Sequence, residues 1–125
     1  MRLLWFRTTH AQQPKVATLL NRFDSEGMEI QVIESVDESA ASVNKMACEL
    51  IMLECINTVE QDMLVRLNRV RANSRVPLIV LTDNHTLDWS LIALREGADA
   101  IFTLNTPDDI IIARSNALLR RWLVD

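Results

Sequence analysis

Hydrophobic residues along this chain follow two alternating patterns. Short apolar runs are each followed by a longer stretch in which apolar residues recur at helical spacing, and this happens five times. The pattern predicts five β-strands, each followed by a helix, with strands at 3–6, 28–33, 50–53, 78–81 and 100–103. The second run alternates apolar and polar residues, as edge strands do. The first, third and fourth are nearly all apolar, as central parallel strands are.

The predicted helices have recognisable ends. Residues 35–38 and 58–61 fit the capping box, in which a hydroxyl and a side chain three residues later satisfy each other's backbone N–H groups. The first helix is expected to begin at Pro14 and to end before Gly27. The last helix is expected to begin at 106–107, with Thr106 as the N-cap and Pro107 as the first helical residue.

These elements predict an α/β fold, (βα)5, with a doubly wound five-stranded parallel sheet. Right-handed crossovers favour the flavodoxin-like strand order 2-1-3-4-5. Sites in such sheets lie at the carboxyl ends of the strands, so functional residues are expected there. We call these positions the carboxyl-end rim; they are 7–10, 54–55, 82–85 and 104–106.

Composition narrows the function classes. A length of 125 residues with 49% hydrophobic and 24% charged residues is typical of one globular domain. The formal net charge of -4 argues against the chain itself binding nucleic acid. No signal peptide is recognisable and no apolar run approaches the roughly 18 residues of a membrane span, so we expect a cytoplasmic protein. With only two glycines and no glycine-rich loop, a nucleotide site is not expected.

Three stretches resemble the receiver domains of response regulators, especially those of the OmpR/PhoB type. They are CELIMLEC at 48–55, VPLIVLTD at 76–83, and LREGADAIFTLNTPDDIIIARSNALLRRW at 94–122. The resemblance covers essentially the whole chain and is most specific at GADA and the helix that follows. It implies one receiver-like domain at 1–125, in a family that is switched by phosphorylation of an aspartate at the end of the third strand.

The residues that this family uses for phosphoryl transfer are largely replaced. Glu54 stands at the phosphoacceptor position, and its carboxylate is displaced by roughly one carbon–carbon bond length from that of an aspartate. Arg7 and Thr8 match the acidic pair that binds Mg²⁺, and a guanidinium cannot ligate a cation. Leu104 matches the lysine that pairs with the phosphoryl group.

The switch positions differ as well. Ile101 replaces the aromatic switch residue and Asp83 replaces a small residue, whereas the signalling hydroxyl is retained as Thr82. We therefore expect a degenerate phosphoacceptor site with no metal, no cofactor and no catalytic activity. We also hypothesise that Arg7 takes the place of the metal and pairs with Glu54 or Asp83.

Receivers of the OmpR/PhoB type dimerise through the face made by the last two helices and the strand between them. Ser90 replaces a basic residue of that face and Ala100 an acidic one, so the usual salt bridges are incomplete. An apolar contact around Leu91, Ile111 and Trp122 could still carry a homodimer. The alternative is a solvated charged face. The expected interface positions are Ser90, Leu91, Asp99, Asp109, Ile111, Arg114 and Trp122.

The function predicted from sequence is that of a phosphorylation-independent regulatory domain, the N-terminal part of a winged-helix transcription regulator. DNA would be bound only by a C-terminal domain outside this chain. Two alternatives stay open: a receiver in which a rim residue still accepts phosphate, and a stand-alone adaptor or small-ligand sensor. A transition-metal site made by the two histidines, His10 and His85, with Glu54, Asp83 and Cys55 is disfavoured because paired ligand spacing is missing. Cys48 and Cys55 are expected to be small core residues.

Overall fold

A computed structural model of the protein describes residues 1–8, 13–34 and 47–124. Within these ranges the strands are β1 (Arg2–Phe6), β2 (Glu29–Ile33), β3 (Leu50–Cys55), β4 (Leu78–Thr82) and β5 (Ala100–Thr103). The helices are α1 (Pro14–Ser25), α2 (Glu60–Asn73), α3 (Leu87–Arg95) and α4 (Asp108–Val124). All five predicted strands are confirmed. The helix predicted to open at 35–38 lies outside the described residues.

The strands form one parallel sheet in the order β2-β1-β3-β4-β5, which confirms the predicted topology. All residues of β3 and β4 are buried, and so are those of β1 after Arg2, as expected for central strands. The edge strand β2 is more exposed: Ile30 and Ile33 are partly buried against opposite layers, whereas Val32 is exposed. The register brings the carboxyl ends of β1, β3 and β4 side by side.

Two hydrophobic layers cover the sheet. On one face Trp5 and its neighbours in β1, β3 and β4 pack against α1 and α4, where Trp5 and Phe23 meet edge to face at 6.3 Å between ring centroids. On the other face Phe6 and Leu53 pack against α2 and α3. Alternate residues of each central strand thus serve opposite layers. No helix in the described ranges is long and apolar enough to cross a membrane.

Two predicted helix starts need correction. The capping box at 58–61 is wrong, because α2 begins at Glu60 without a side-chain cap and the Thr58 hydroxyl donates to the Ile56 carbonyl at 3.1 Å. The left-handed Asn57, at φ 52°, turns the chain tightly here and delays the helix. The last helix begins at Asp108, and the carbonyl of residue 107 accepts its first i to i+4 bond. By contrast, α1 begins at Pro14 as predicted.

Candidate functional site

Glu54 lies at the centre of the carboxyl-end rim, on β3. Its side chain is fully buried. One carboxyl oxygen accepts a hydrogen bond from the Trp5 indole N–H at 3.0 Å, and the other accepts one from the Thr8 backbone N–H at 3.1 Å. Both oxygens therefore have a donor, which offsets the cost of removing the carboxyl group from water.

Thr8 joins the ends of β1 and β3. Its hydroxyl donates to the Glu54 carbonyl at 2.8 Å and accepts from the Ile56 N–H at 3.2 Å. Together with the bond from its own N–H to Glu54, Thr8 makes three hydrogen bonds across the two strands. The sequence placed Thr8 at the rim but gave no indication of this bridging role.

Arg66, on α2, is a rim residue that sequence reasoning missed. Its guanidinium donates to the carbonyl of Glu54, to the carbonyl of Arg7 at 3.3 Å, and to the Cys55 sulfur at 3.5 Å. The signal that could have found it is its place on the helix, three residues after the buried Met63 and next to the buried Leu67. A cation at that position lies beside the buried face of α2. The pairing of Arg7 with Glu54 or Asp83 stays a prediction.

The loops after β3 and β4 are also joined at the rim. The exposed Asp83 accepts a hydrogen bond from the Asn57 N–H at 2.9 Å. Thr82 is fully buried, and its hydroxyl accepts from the Asn84 N–H at 3.0 Å. The retained signalling hydroxyl is thus engaged by its own loop, within a turn of the type that threonine favours.

The lysine and aromatic positions of the family are occupied by apolar side chains that pack inward. Leu104 packs against the layer of α1 and α4, and its N–H donates to the Thr82 carbonyl at 3.1 Å. Ile101 packs against the opposite layer, which contains the buried Trp89. Both side chains are partly buried and offer no charge to an anion at the rim.

Neither cysteine has the environment of a reactive thiol, since Cys55 is buried in the core and Cys48 is half-buried against it. Burial raises the pKa of the Cys55 thiol from 9.0 to about 12, against the opposing effect of the Arg66 guanidinium. Burial also raises the pKa of the half-buried Cys48. Both thiols are therefore protonated at neutral pH. Within the described part of the chain, no group of three or more histidine, cysteine or acidic side chains is placed to hold a metal ion.

The acidic residues of the predicted interface are paired inside the chain. Asp99 accepts hydrogen bonds from the Arg71 guanidinium and from the Leu78 N–H, both at 2.8 Å. Asp109 lies 2.7 Å from the Arg22 guanidinium of α1. Because these charges already have partners, they are less suited to pairing across a dimer.

One apolar interface residue was wrongly assigned. Ile111 is fully buried and belongs to the core beneath α4, whereas its neighbour Ile110 is 54% exposed. Leu91 and Trp122 are exposed as predicted, Arg114 is exposed and Ser90 is half-buried. The structure adds two leucines that the sequence did not single out. Leu87, Leu91 and Leu94 are 70%, 39% and 46% exposed and form what we call the leucine stripe of α3.

The sheet order and the placement of helices on both faces define a doubly wound, flavodoxin-like fold, and solved structures of response-regulator receiver domains match it. The BeF3-activated N-terminal receiver domain of Klebsiella pneumoniae RstA matches with a TM-score of 0.79 and 19% identity, over 96% of this chain and 99% of that one. The beryllofluoride-activated NtrC4 receiver domain dimer matches at 0.79 and 15%, over 97% and 98%.

A third solved structure is an atypical orphan response regulator, described as having a phosphorylation-independent regulatory mechanism. It matches with a TM-score of 0.71 and 22% identity, over 96% of each chain. No protein-family profile and no curated protein matches the sequence. At these identities the likeness shows the receiver fold.

The rim residues do not fit the Mg²⁺ that the resemblance implies. A magnesium site needs carboxylate or other free oxygen ligands. Here the Glu54 carboxyl oxygens accept from Trp5 and Thr8, and the Glu54 carbonyl faces the Arg66 guanidinium. The positions of the acidic pair carry a cation and a neutral hydroxyl, Arg7 and Thr8. The oxygen atoms at the rim are therefore engaged in hydrogen bonds within the protein and are not arranged as ligands of a metal ion.

Proposed function

We propose that this chain is a regulatory receiver domain of a response regulator that acts without phosphoryl transfer, through protein–protein contact. It is not an enzyme. The observation that carries this proposal is the state of Glu54, which is fully buried and whose carboxyl oxygens both accept hydrogen bonds. A carboxylate that attacks phosphorus in line must approach the phosphodonor with a free oxygen, and small misplacements are kinetically costly.

Phosphoryl transfer also depends on neutralising charge in the transition state. The family's metal and lysine would supply that charge, and the corresponding residues here are Arg7, Thr8 and Leu104. Leu104 is partly buried against the core, and Asp83 adds an exposed negative charge next to the site. The atypical orphan regulator supports the idea that a receiver fold can regulate in this way, although it shares only 22% of its residues with this chain.

We further propose that the domain forms a homodimer through the leucine stripe. Leu87, Leu91 and Leu94 are spaced at i, i+4 and i+7, so they lie on one face of α3. Asp99 and Asp109 are paired inside the chain, which leaves apolar contact as the main attraction. The NtrC4 receiver shows that a domain of this fold can form a dimer.

The dimer would position an effector. We propose a winged-helix DNA-binding domain C-terminal to this chain and a cytoplasmic location. The formal net charge of -4 supports placing DNA contact in a separate domain, because a phosphate backbone is bound by basic surfaces.

Sedimentation velocity, with and without Mg²⁺ and acetyl phosphate, tests this function. We expect a dimer at tens of micromolar that the phosphodonor does not alter, and a monomer for Leu91→Asp. Val65→Asp is the matched control, because Val65 on α2 has the same 39% exposure as Leu91 but lies outside the stripe. A monomeric wild-type domain, or one that dimerises only with the phosphodonor, would contradict the proposal.

A cavity supports a second candidate, the ligand sensor. A cavity of about 400 Å³ lies at the amino end of α1, within the size range of small-ligand sites. Its lining combines Arg7 with an apolar wall that includes Val16, Ala17 and Leu20. Such a lining suits an organic anion with an apolar body. Thermal shifts with hexanoate, but not with hexanol, that disappear in Arg7→Gln would favour this candidate. Equal effects of both compounds would exclude it.

A further inference from the structure

Three acceptor atoms at the ends of β1 and β3 meet one guanidinium. They are the carbonyl oxygens of Arg7 and Glu54 and the sulfur of Cys55, and all three accept from Arg66. We call them the guanidinium cradle. Arg66 reaches the cradle from α2, which packs on the opposite sheet face from the one that the Glu54 side chain enters.

The chemistry of the cradle suits a cation. Carbonyl groups at strand ends have fewer ladder partners than those inside the sheet, so buried ones need another donor. A planar guanidinium has five N–H groups and can serve several acceptors at once. Burial raises the pKa of the Cys55 thiol and keeps it neutral, so none of the three acceptor atoms carries a charge.

The cradle is linked to Glu54 through a single peptide unit. The Arg7 carbonyl, which accepts from Arg66, belongs to the same trans peptide group as the Thr8 N–H, which donates to the Glu54 carboxyl. The two bonds leave opposite sides of that planar group. Fixing one side therefore orients the other. Arg66 also fixes the Glu54 carbonyl, to which the Thr8 hydroxyl donates.

We propose that Arg66 is a built-in cation of the carboxyl-end rim, a positioning residue that holds the peptide between Arg7 and Thr8 so that Glu54 stays hydrogen-bonded without a divalent metal. A family that uses Mg²⁺ at this edge brings its cation from solution, whereas this chain carries one on α2. The inference deepens the proposed function, since it names what holds the site in one state. It does not require the function to be correct, because its test involves neither phosphate nor dimerisation.

Chemical rescue of Arg66→Ala in the full chain is the experiment. NMR of the ¹⁵N-labelled protein would follow hydrogen exchange of the Thr8 amide and the Trp5 indole N–H, the two donors to Glu54. We expect both to exchange about tenfold faster in the variant, the size of effect expected from losing charge-assisted hydrogen bonds. The Val80 amide in the fully buried β4 should change less. Ethylguanidinium at low millimolar concentration should restore slow exchange, whereas ethylammonium and Mg²⁺ should not.

Arg71→Ala is the control on the same helix. We expect it to change the hydrogen-exchange rates of Thr8, Trp5 and Val80 by similar factors. Arg66→Lys should retain part of the protection through one remaining contact, and it replaces the alanine variant if that does not fold. The proposal is overturned if exchange at Thr8 and Trp5 rises no more than at Val80. It is also overturned if Mg²⁺ restores protection, because the rim would then be a metal site.

Discussion

Two arginines of α2 hold opposite ends of the sheet, and they differ in their partners. At the amino end, Arg71 donates to the carbonyls of Gly97 and Val76 at 2.8 and 2.6 Å and forms an ion pair with Asp99 at 2.8 Å. At the carboxyl end, the acceptors of Arg66 are two carbonyls and a neutral thiol. The first cluster includes a charge partner, and the second does not.

This difference distinguishes the end of the sheet that serves folding from the end where functional sites lie. The amino end of a doubly wound sheet has no role in ligand chemistry, so an arginine there can be committed to structure, and burial lowers the pKa of Arg71. The carboxyl end is where such folds place their sites. In this chain that end is satisfied by internal hydrogen bonds, and the Arg66 guanidinium donates to two of its carbonyls.

The largest expected effect is that of Arg71→Met. The substitution removes the cation paired with Asp99 and the donor to the Gly97 and Val76 carbonyls, so we expect the free energy of unfolding to fall by about 2–4 kcal/mol. Urea denaturation would measure this. Arg75→Met is the control, because the exposed Arg75 makes a single bond to the Arg71 carbonyl; its effect should stay within about 0.5 kcal/mol. Equal losses in the two variants would remove the distinction between the clusters.

Arg66→Met should cost less, about 1–2 kcal/mol in urea denaturation, since it strands dipoles and no charge. A loss as large as that of Arg71→Met would show that the carboxyl end contributes as much to folding as the amino end. A loss near zero would mean that water replaces the guanidinium without cost.

The two glycines precede β2 and β5, at the amino end of the sheet, and they differ in the space around them. Gly97 has φ 122° and an added Cβ would lie 3.0 Å from Arg71 Cγ, whereas Gly27 has φ 86° and open space. Gly27→Ala should cost about 1 kcal/mol from the left-handed backbone alone. Gly97→Ala should cost more, because Arg71 must also move. Thermal unfolding of the two variants compares them directly, and the reverse order would contradict the tight packing of Arg71.

The smallest effect at neutral pH concerns Cys55. Its pKa is about 12 in the folded chain and near 9.0 when unfolded, so above pH 9 the unfolded chain binds fewer protons than the folded one. Stability should therefore fall as pH rises from about 9 towards 12. Cys55→Ala should flatten this decline more than Cys48→Ala, because Cys48 is only half-buried. An unchanged slope in Cys55→Ala would show that the thiol is not the group responsible.

The fold could be predicted because its signals are local and repeated. Each central strand is an apolar run, and the edge strand alternates, so strand number and order followed from periodicity and crossover handedness. Helix starts were less accurate. Thr58 resembled an N-cap, but the left-handed Asn57 uses this segment as a turn.

The site could be predicted only in part, because its contacts join distant residues. The replaced positions of the rim were visible in the sequence, but Arg66 lies 59 residues from Arg7, whose carbonyl it binds. The error at Ile111 has a different cause. Residues 110–112 are three successive isoleucines, so the pattern did not show which of them faces the core.

Intact mass measurement after incubation with Mg²⁺ and acetyl phosphate tests the central claim most directly. A competent receiver domain treated in parallel establishes that the phosphodonor is active. The account predicts an unchanged mass for this protein, because Glu54 is buried and both its carboxyl oxygens have donors. A gain of one phosphoryl group per chain that Glu54→Gln abolishes would contradict it.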